Sequence, residues 1–76
     1  MVGTCYAYIT TKVRDGKTEI LDAHRRLEYA RKQLDDLETQ AKTEGHRCMR
    51  TQAGCCLRTQ RGDNVTYYEI IKRELK

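Results

Sequence analysis

Apolar residues recur along the middle of the chain at Ile20, Ala23, Leu27, Ala30, Leu34, Leu37 and Ala41, a 3-4-3-4-3-4 spacing. That spacing sets the whole row on one side of an α-helix, whereas a strand would scatter it over two faces. The pattern predicts one long amphipathic helix over residues 18–44. Thr18 suits the N-cap, because its hydroxyl accepts from an otherwise unpartnered backbone N–H, and Glu19 and Asp22 suit the positive helix end. Gly45 stops the helix, since glycine takes the left-handed conformation of the C′ position without strain. At 1.5 Å per residue the helix is a rod of roughly 39 Å. Its outer face pairs opposite charges at helical spacing, among them Glu28/Lys32 and Glu38/Lys42. Each such pair contributes only about 0.2–0.5 kcal/mol, so that face reads as solvated surface.

On either side of the stripe the period is two. Residues 2–13 are dense in β-branched residues and tyrosines and predict a strand. Arg14-Asp15-Gly16-Lys17 predicts the turn from that strand into the helix. Beyond Gly45, residues 46–75 predict a β-meander with strands at 46–51, 55–60 and 65–72, joined by glycine-containing hairpin loops. The expected architecture is therefore α+β in the order β-α-β-β-β: one long amphipathic helix packed on one face of a four-stranded antiparallel sheet, in a single domain spanning residues 1–76.

Register then assigns the faces. A three-residue loop with Gly54 left-handed sets Thr51 opposite Cys55, and a turn at Gly62-Asp63 sets Thr59 opposite Thr66. The helix then covers Met49, Leu57, Tyr68 and Ile9, with Cys5, Ala7 and Val13 in the same row as Ile9. The uncovered face receives Tyr6, Tyr8, Thr10, His46, Cys48, Arg50, Cys56, Arg58, Tyr67, Glu69 and Ile71. A slip of one residue inverts any of these strands.

Composition narrows the class. In 76 residues with 38% apolar side chains, no Trp and no Phe, the core is a thin layer. A domain of this size commonly holds only about 3–5 kcal/mol unless a metal, a disulfide or a second subunit adds to it. No apolar run approaches the roughly 18 residues of a membrane span, and the first residues lack the pattern of a signal peptide. The expectation is a soluble, cytoplasmic protein with no membrane contact. The net charge of +4 is unevenly placed: the helical region is mildly acidic, while Arg47, Arg50, Arg58 and Arg61 occur between His46 and Gly62 without a single acid. Such a segment suits phosphates or an acidic protein surface.

Candidate chemistry follows from the uncovered face. Tyr6, Tyr8 and Tyr67 beside Arg47, Arg50, Arg58 and Arg61 match, in physical type, a platform on which bases stack while guanidinium groups hold phosphates. The same residues equally suit a protein interface, where amphipathic aromatics and arginines are enriched. His46, Cys48 and Cys56 offer a possible zinc chelate, but no C-x₂-C spacing occurs and Cys55 and Cys56 point to opposite faces of their strand. No metal or cofactor is expected. Gly16-Lys17-Thr18 lacks the upstream glycine of a phosphate-binding loop. Arg61-Gly62-Asp63 is explained by a hairpin turn. No two carboxylates share an evident cleft, and no nucleophile–base pair has an evident pocket, so an enzyme is not expected.

The residues therefore point to a small non-enzymatic binding module that contacts nucleic acid, or a nucleic-acid-handling protein complex, through a basic, tyrosine-bearing sheet face. Two other classes compete. One is an inhibitor of phage or mobile-element type that occludes a host enzyme or effector complex. The other is a structural homodimer, formed through the helical stripe or through the open sheet face.

Overall fold

The computed structural model describes residues 5–75; the first residues of the expected strand 2–13 lie outside that range. It is an α+β fold with one helix and one five-stranded antiparallel sheet. The elements are β1 (Cys5–Arg14), β2 (Lys17–His24), α1 (Leu27–Thr43), β3 (Arg47–Thr51), β4 (Cys56–Arg61) and β5 (Asn64–Leu75), with a single 3₁₀ turn at Gln52–Gly54. Their order across the sheet is β2-β1-β5-β4-β3. The long β1–β5 ladder forms the centre, running from Cys5 opposite Leu75 to Arg14 opposite Thr66.

The expected helix 18–44 is the main correction. Residues 17–24 are a fifth strand, and the helix starts at Leu27. The cause is local. Asp15 and Gly16 both have positive φ, 52° and 75°, which is the two-residue turn whose twist matches a β-hairpin. The chain therefore folds back on β1 and pairs Arg14 with Lys17 and Val13 with Thr18. A bulge at Leu21, where Thr10 pairs with Asp22 but Thr11 with Ile20, re-aims the end of β2. Ile20 and Ala23 thus belong to a strand, and only the later part of the stripe is helical.

The C-terminal end of the helix is as expected. Gly45 has φ +86°, and the His46 N–H donates to the Ala41 carbonyl at 2.9 Å while the Gly45 N–H donates to Lys42 at 3.0 Å. This double bond pattern satisfies two end carbonyls that the helix itself leaves unpaired.

The 17-residue helix lies on one face of the sheet. Ala30 and Leu34 from α1 meet Leu57 of β4 and Ile70 of β5 in the buried core, with Tyr8, Leu27, Leu37, Cys48, Cys55 and Tyr68 packed around them. Each large aliphatic side chain buried there contributes about 1.5–3 kcal/mol. Thr10 and Thr59 are also buried beneath the helix, at 0% and 4% exposure.

Two strands show the opposite face from that expected. In β3 the four-residue connection 52–55, with Ala53 and Gly54 both at positive φ, sets Thr51 opposite Cys56 rather than Cys55. That single-residue difference turns Cys48 and Arg50 under the helix and Met49 out, with Met49 56% exposed. In β1 the row facing the helix contains Tyr8 and Thr10, while Ile9 and Val13 lie on the bare side, because Tyr8 pairs with Lys72 and Thr10 with Ile70. The second hairpin is as expected: Arg61 pairs with Asn64 and Thr59 with Thr66 around Gly62-Asp63.

Candidate functional site

The face left bare by α1 is built from the outward residues of all five strands. Its central row crosses four strands in register: Val13 pairs with Tyr67, Tyr67 with Arg58, and Arg58 with Met49. These residues also line a shallow recess of about 160 Å³. On one side of the row Thr11, Glu69 and Cys56 are neighbours, followed by the pair Ile9–Ile71; on the other Val65 pairs with Gln60, and Gln60 with Arg47. At the β2 edge Ile20 is 69% exposed, and Tyr67 in the centre is 50% exposed. The face thus combines an apolar set, including Ile9, Val13, Met49, Tyr67 and Ile71, with Arg58 and Glu69 near its middle and Arg47, Thr51 and Arg73 towards its margins.

Of the expected contact residues, the structure brings Arg47, Arg58 and Tyr67 together on this face. Arg61 lies at the β4–β5 turn, where it lines a notch with Arg47, Gln60 and the glycines Gly45 and Gly62. The other three are elsewhere. Tyr8 packs on the core beneath the helix. Tyr6 is in the same row of β1, opposite Glu74, with Lys72 Nζ 4.0 Å from its ring centroid. Arg50 reaches α1, donating to Asp35 at 2.6 Å, to Glu38 at 3.1 Å and to the Gly54 carbonyl at 2.7 Å. The expected triple-tyrosine platform on the open face is therefore corrected to a single tyrosine within an apolar field.

The His46–Cys48–Cys56 set is also split. His46 lines a cleft beside the last turn of α1 together with Lys12, Arg14 and Tyr68. Cys48 lies under the helix, its thiol pushed up in pKa by burial and by the nearby Glu38 carboxylate. Cys56 pairs with Glu69 on the other face, and burial raises its pKa as well. Among the described residues no three His, Cys, Asp or Glu side chains converge as a metal site. The cleft also holds the Glu44 carboxylate, 3.8 Å from His46 Nε2, and burial raises the Tyr68 phenol above its usual value. A raised phenol stays protonated at neutral pH, which suits hydrogen bonding rather than proton abstraction.

No family model matches the chain, and no curated protein or solved structure shows significant similarity to it. No helix among the described residues is long and apolar enough to cross a membrane.

Sequence reasoning missed Met49, Val13, Ile9 and Ile20 as members of the bare face. The signal for Ile20 was present in Arg14-Asp15-Gly16-Lys17. An Asp-Gly pair flanked by β-rich segments is a strong short-range sign of a hairpin, and it competes directly with the helical spacing that follows it.

Proposed function

We propose that this protein is a non-enzymatic binding module that docks on a protein surface through the sheet face opposite α1. The observation that carries the reading is the registered row Val13–Tyr67–Arg58–Met49. It joins an aromatic, a methionine and an arginine, the side chains enriched at protein interfaces, to a β-branched neighbour. Monomeric domains seldom leave such a contiguous apolar surface to water. Stacking of successive bases would need several aromatic rings on one face, and here Tyr67 stands without Tyr6 and Tyr8.

The test is retention of a protein through this face, either a host protein or an untagged second copy of this chain, from nuclease-treated lysate. Wild-type protein retains it, and Tyr67→Ala combined with Met49→Ala loses it while keeping the wild-type circular dichroism spectrum. Retention unchanged by the double substitution would refute the assignment of the face.

A second reading is favoured by the notch between Arg47 and Arg61, whose other lining residues are Gly45, Gln60 and Gly62. Two guanidinium groups without an acid in the lining suit a phosphate of a nucleic acid. That contact would be steeply salt-dependent and weakened by Arg47→Ala with Arg61→Ala. Absence of binding to single- and double-stranded oligonucleotides at low salt removes it.

A further inference from the structure

We infer that the occupant of the bare face is a second copy of this chain, docked face to face about a two-fold axis that sets Arg58 of each copy against Glu69 of the other. This rests on the reading of that face as a protein-docking surface.

Charge is the first support. Arg58 lies opposite Tyr67, and Glu69 lies two residues further along β5, so the two charges are diagonal neighbours on one face. Among the described residues no ion pair involves either side chain. A phosphate-bearing or strongly acidic partner would be repelled by Glu69 at the centre of the face. A second copy brings an arginine for each Glu69 and a glutamate for each Arg58, which is the reciprocal pattern of an isologous interface.

Geometry is the second support. Strands lie about 4.8 Å apart, and same-face residues about 6.8 Å apart along a strand. On that grid a two-fold in the plane of the interface that exchanges Arg58 and Glu69 also lays Met49 over the region of Ile71. It places Tyr67 close to the axis, against its own copy. The two sheets then cross at roughly 70°, between the aligned and orthogonal modes of sheet packing. Near the axis apolar residues thus meet apolar residues under the operation that pairs the charges, while at the rim Arg47 falls over Ile9 of the other copy, its stem along the apolar surface and its guanidinium towards water.

Area is the third. The strands present on the order of 650 Å² of projected face at these spacings, and the relief of the side chains raises the accessible area above that. A stable dimer of ordinary size buries about 800 Å² on each partner. The isolated chain, in turn, lacks a large core. Among the described residues the buried apolar ones are Ala30, Leu34, Leu57 and Ile70, and small domains with such cores depend on a further source of stability.

The test is sedimentation equilibrium over a concentration series extending into the micromolar range. Wild type shows twice the monomer mass. Arg58→Glu and Glu69→Arg each bring like charges together and weaken the dimer about tenfold or more. Carrying both substitutions in one chain restores the opposite-charge pairs and the dimer. Circular dichroism on all three variants separates loss of association from loss of folding. A wild type that remains monomeric throughout overturns the second copy as occupant, as does a dimer that neither single reversal weakens. A monomer whose nuclease-resistant partner capture is still lost with Tyr67→Ala and Met49→Ala keeps the docking face and gives it another protein. A monomer whose capture ignores those substitutions removes both conclusions.

Discussion

Arg50 of β3 and Glu38 of α1 meet at 3.1 Å with side chains only 19% and 20% exposed. The same guanidinium group also reaches Asp35 and the Gly54 carbonyl, so one side chain ties the helix, the edge strand and the β3–β4 connection together. Arg50 is therefore a structural residue in this fold, whatever the partner. Arg50→Ala removes charge-assisted hydrogen bonds and leaves a mostly covered carboxylate without its arginine. The expected loss is about 2 kcal/mol, and for a domain of this length the melting temperature falls by roughly 8–15 °C. Thermal unfolding followed by circular dichroism measures it. A shift within error of wild type would mean the interaction contributes nothing net.

The same cluster predicts an acid limb of stability. The Glu38 carboxyl is held below its ordinary value near 4.5, first by the Lys42 hydrogen bond, against the opposing effect of burial, and then by Arg50. A carboxyl with a depressed folded-state pKa binds a proton more readily in the unfolded chain. Its contribution is complete above the ordinary value and is lost as pH falls from there through the folded-state pKa. Urea midpoints measured from pH 7 down to pH 3 should therefore decline below about pH 4.5. Glu38→Gln should lower the midpoint at pH 7 and flatten the decline. An unchanged slope in Glu38→Gln would assign the acid limb to other carboxylates.

Much of the helix–sheet arrangement is legible from the sequence. Leu27, Ala30, Leu34 and Leu37 keep the helical period, and Gly45 ends the helix where its free backbone is needed. The meander strands and the Gly62-Asp63 turn also follow from local pattern. What the pattern cannot resolve is a segment in which two periods overlap. Ile20 and Ala23 continue the 3-4 spacing, yet they follow an Asp-Gly turn that returns the chain along β1. Pairing with the central strand outweighs a propensity difference of a few tenths of a kcal/mol per residue. The bare face was lost for a related reason. The β3–β4 connection is one residue longer than the simplest loop, and one residue exchanges Arg50 for Met49. Tyr8 and Ile9 are both able to face a core, so β1 carries no alternation strong enough to choose between them.

That competition between turn and helix yields a prediction at Gly16. Its φ is +75°, and a Cβ built there meets nothing within 4 Å. Gly16→Ala therefore tests backbone strain without a steric clash. The left-handed conformation costs an L-residue about 1 kcal/mol relative to glycine, so the variant should melt roughly 4–8 °C lower. Amide exchange of β2 should accelerate more than that of β4, because the turn holds β2 at the sheet edge. Equal acceleration throughout would show that β2 and the rest of the sheet open as one cooperative unit.

Leu34 is fully buried at the centre of the helix–sheet layer, and its truncation measures how thin that layer is. Leu34→Ala removes the transfer free energy of the side chain and leaves a cavity, a loss of about 2–5 kcal/mol. This matches the about 3–5 kcal/mol that a domain of this size ordinarily holds. As an isolated chain the variant should be largely unfolded at 25 °C, without the cooperative melting transition of wild type. Association changes that balance, since any partner that binds only the folded state stabilises it by mass action. With the bare face occupied by a second copy, the melting temperature of wild type should rise with protein concentration, and Leu34→Ala should recover helical signal as concentration increases. Arg58→Glu should move that concentration dependence to concentrations about tenfold or more higher in both backgrounds. A wild-type melting temperature independent of concentration would place all of the stability within the single chain, and the layer formed by Leu34, Leu57 and Ile70 would then have to supply it unaided.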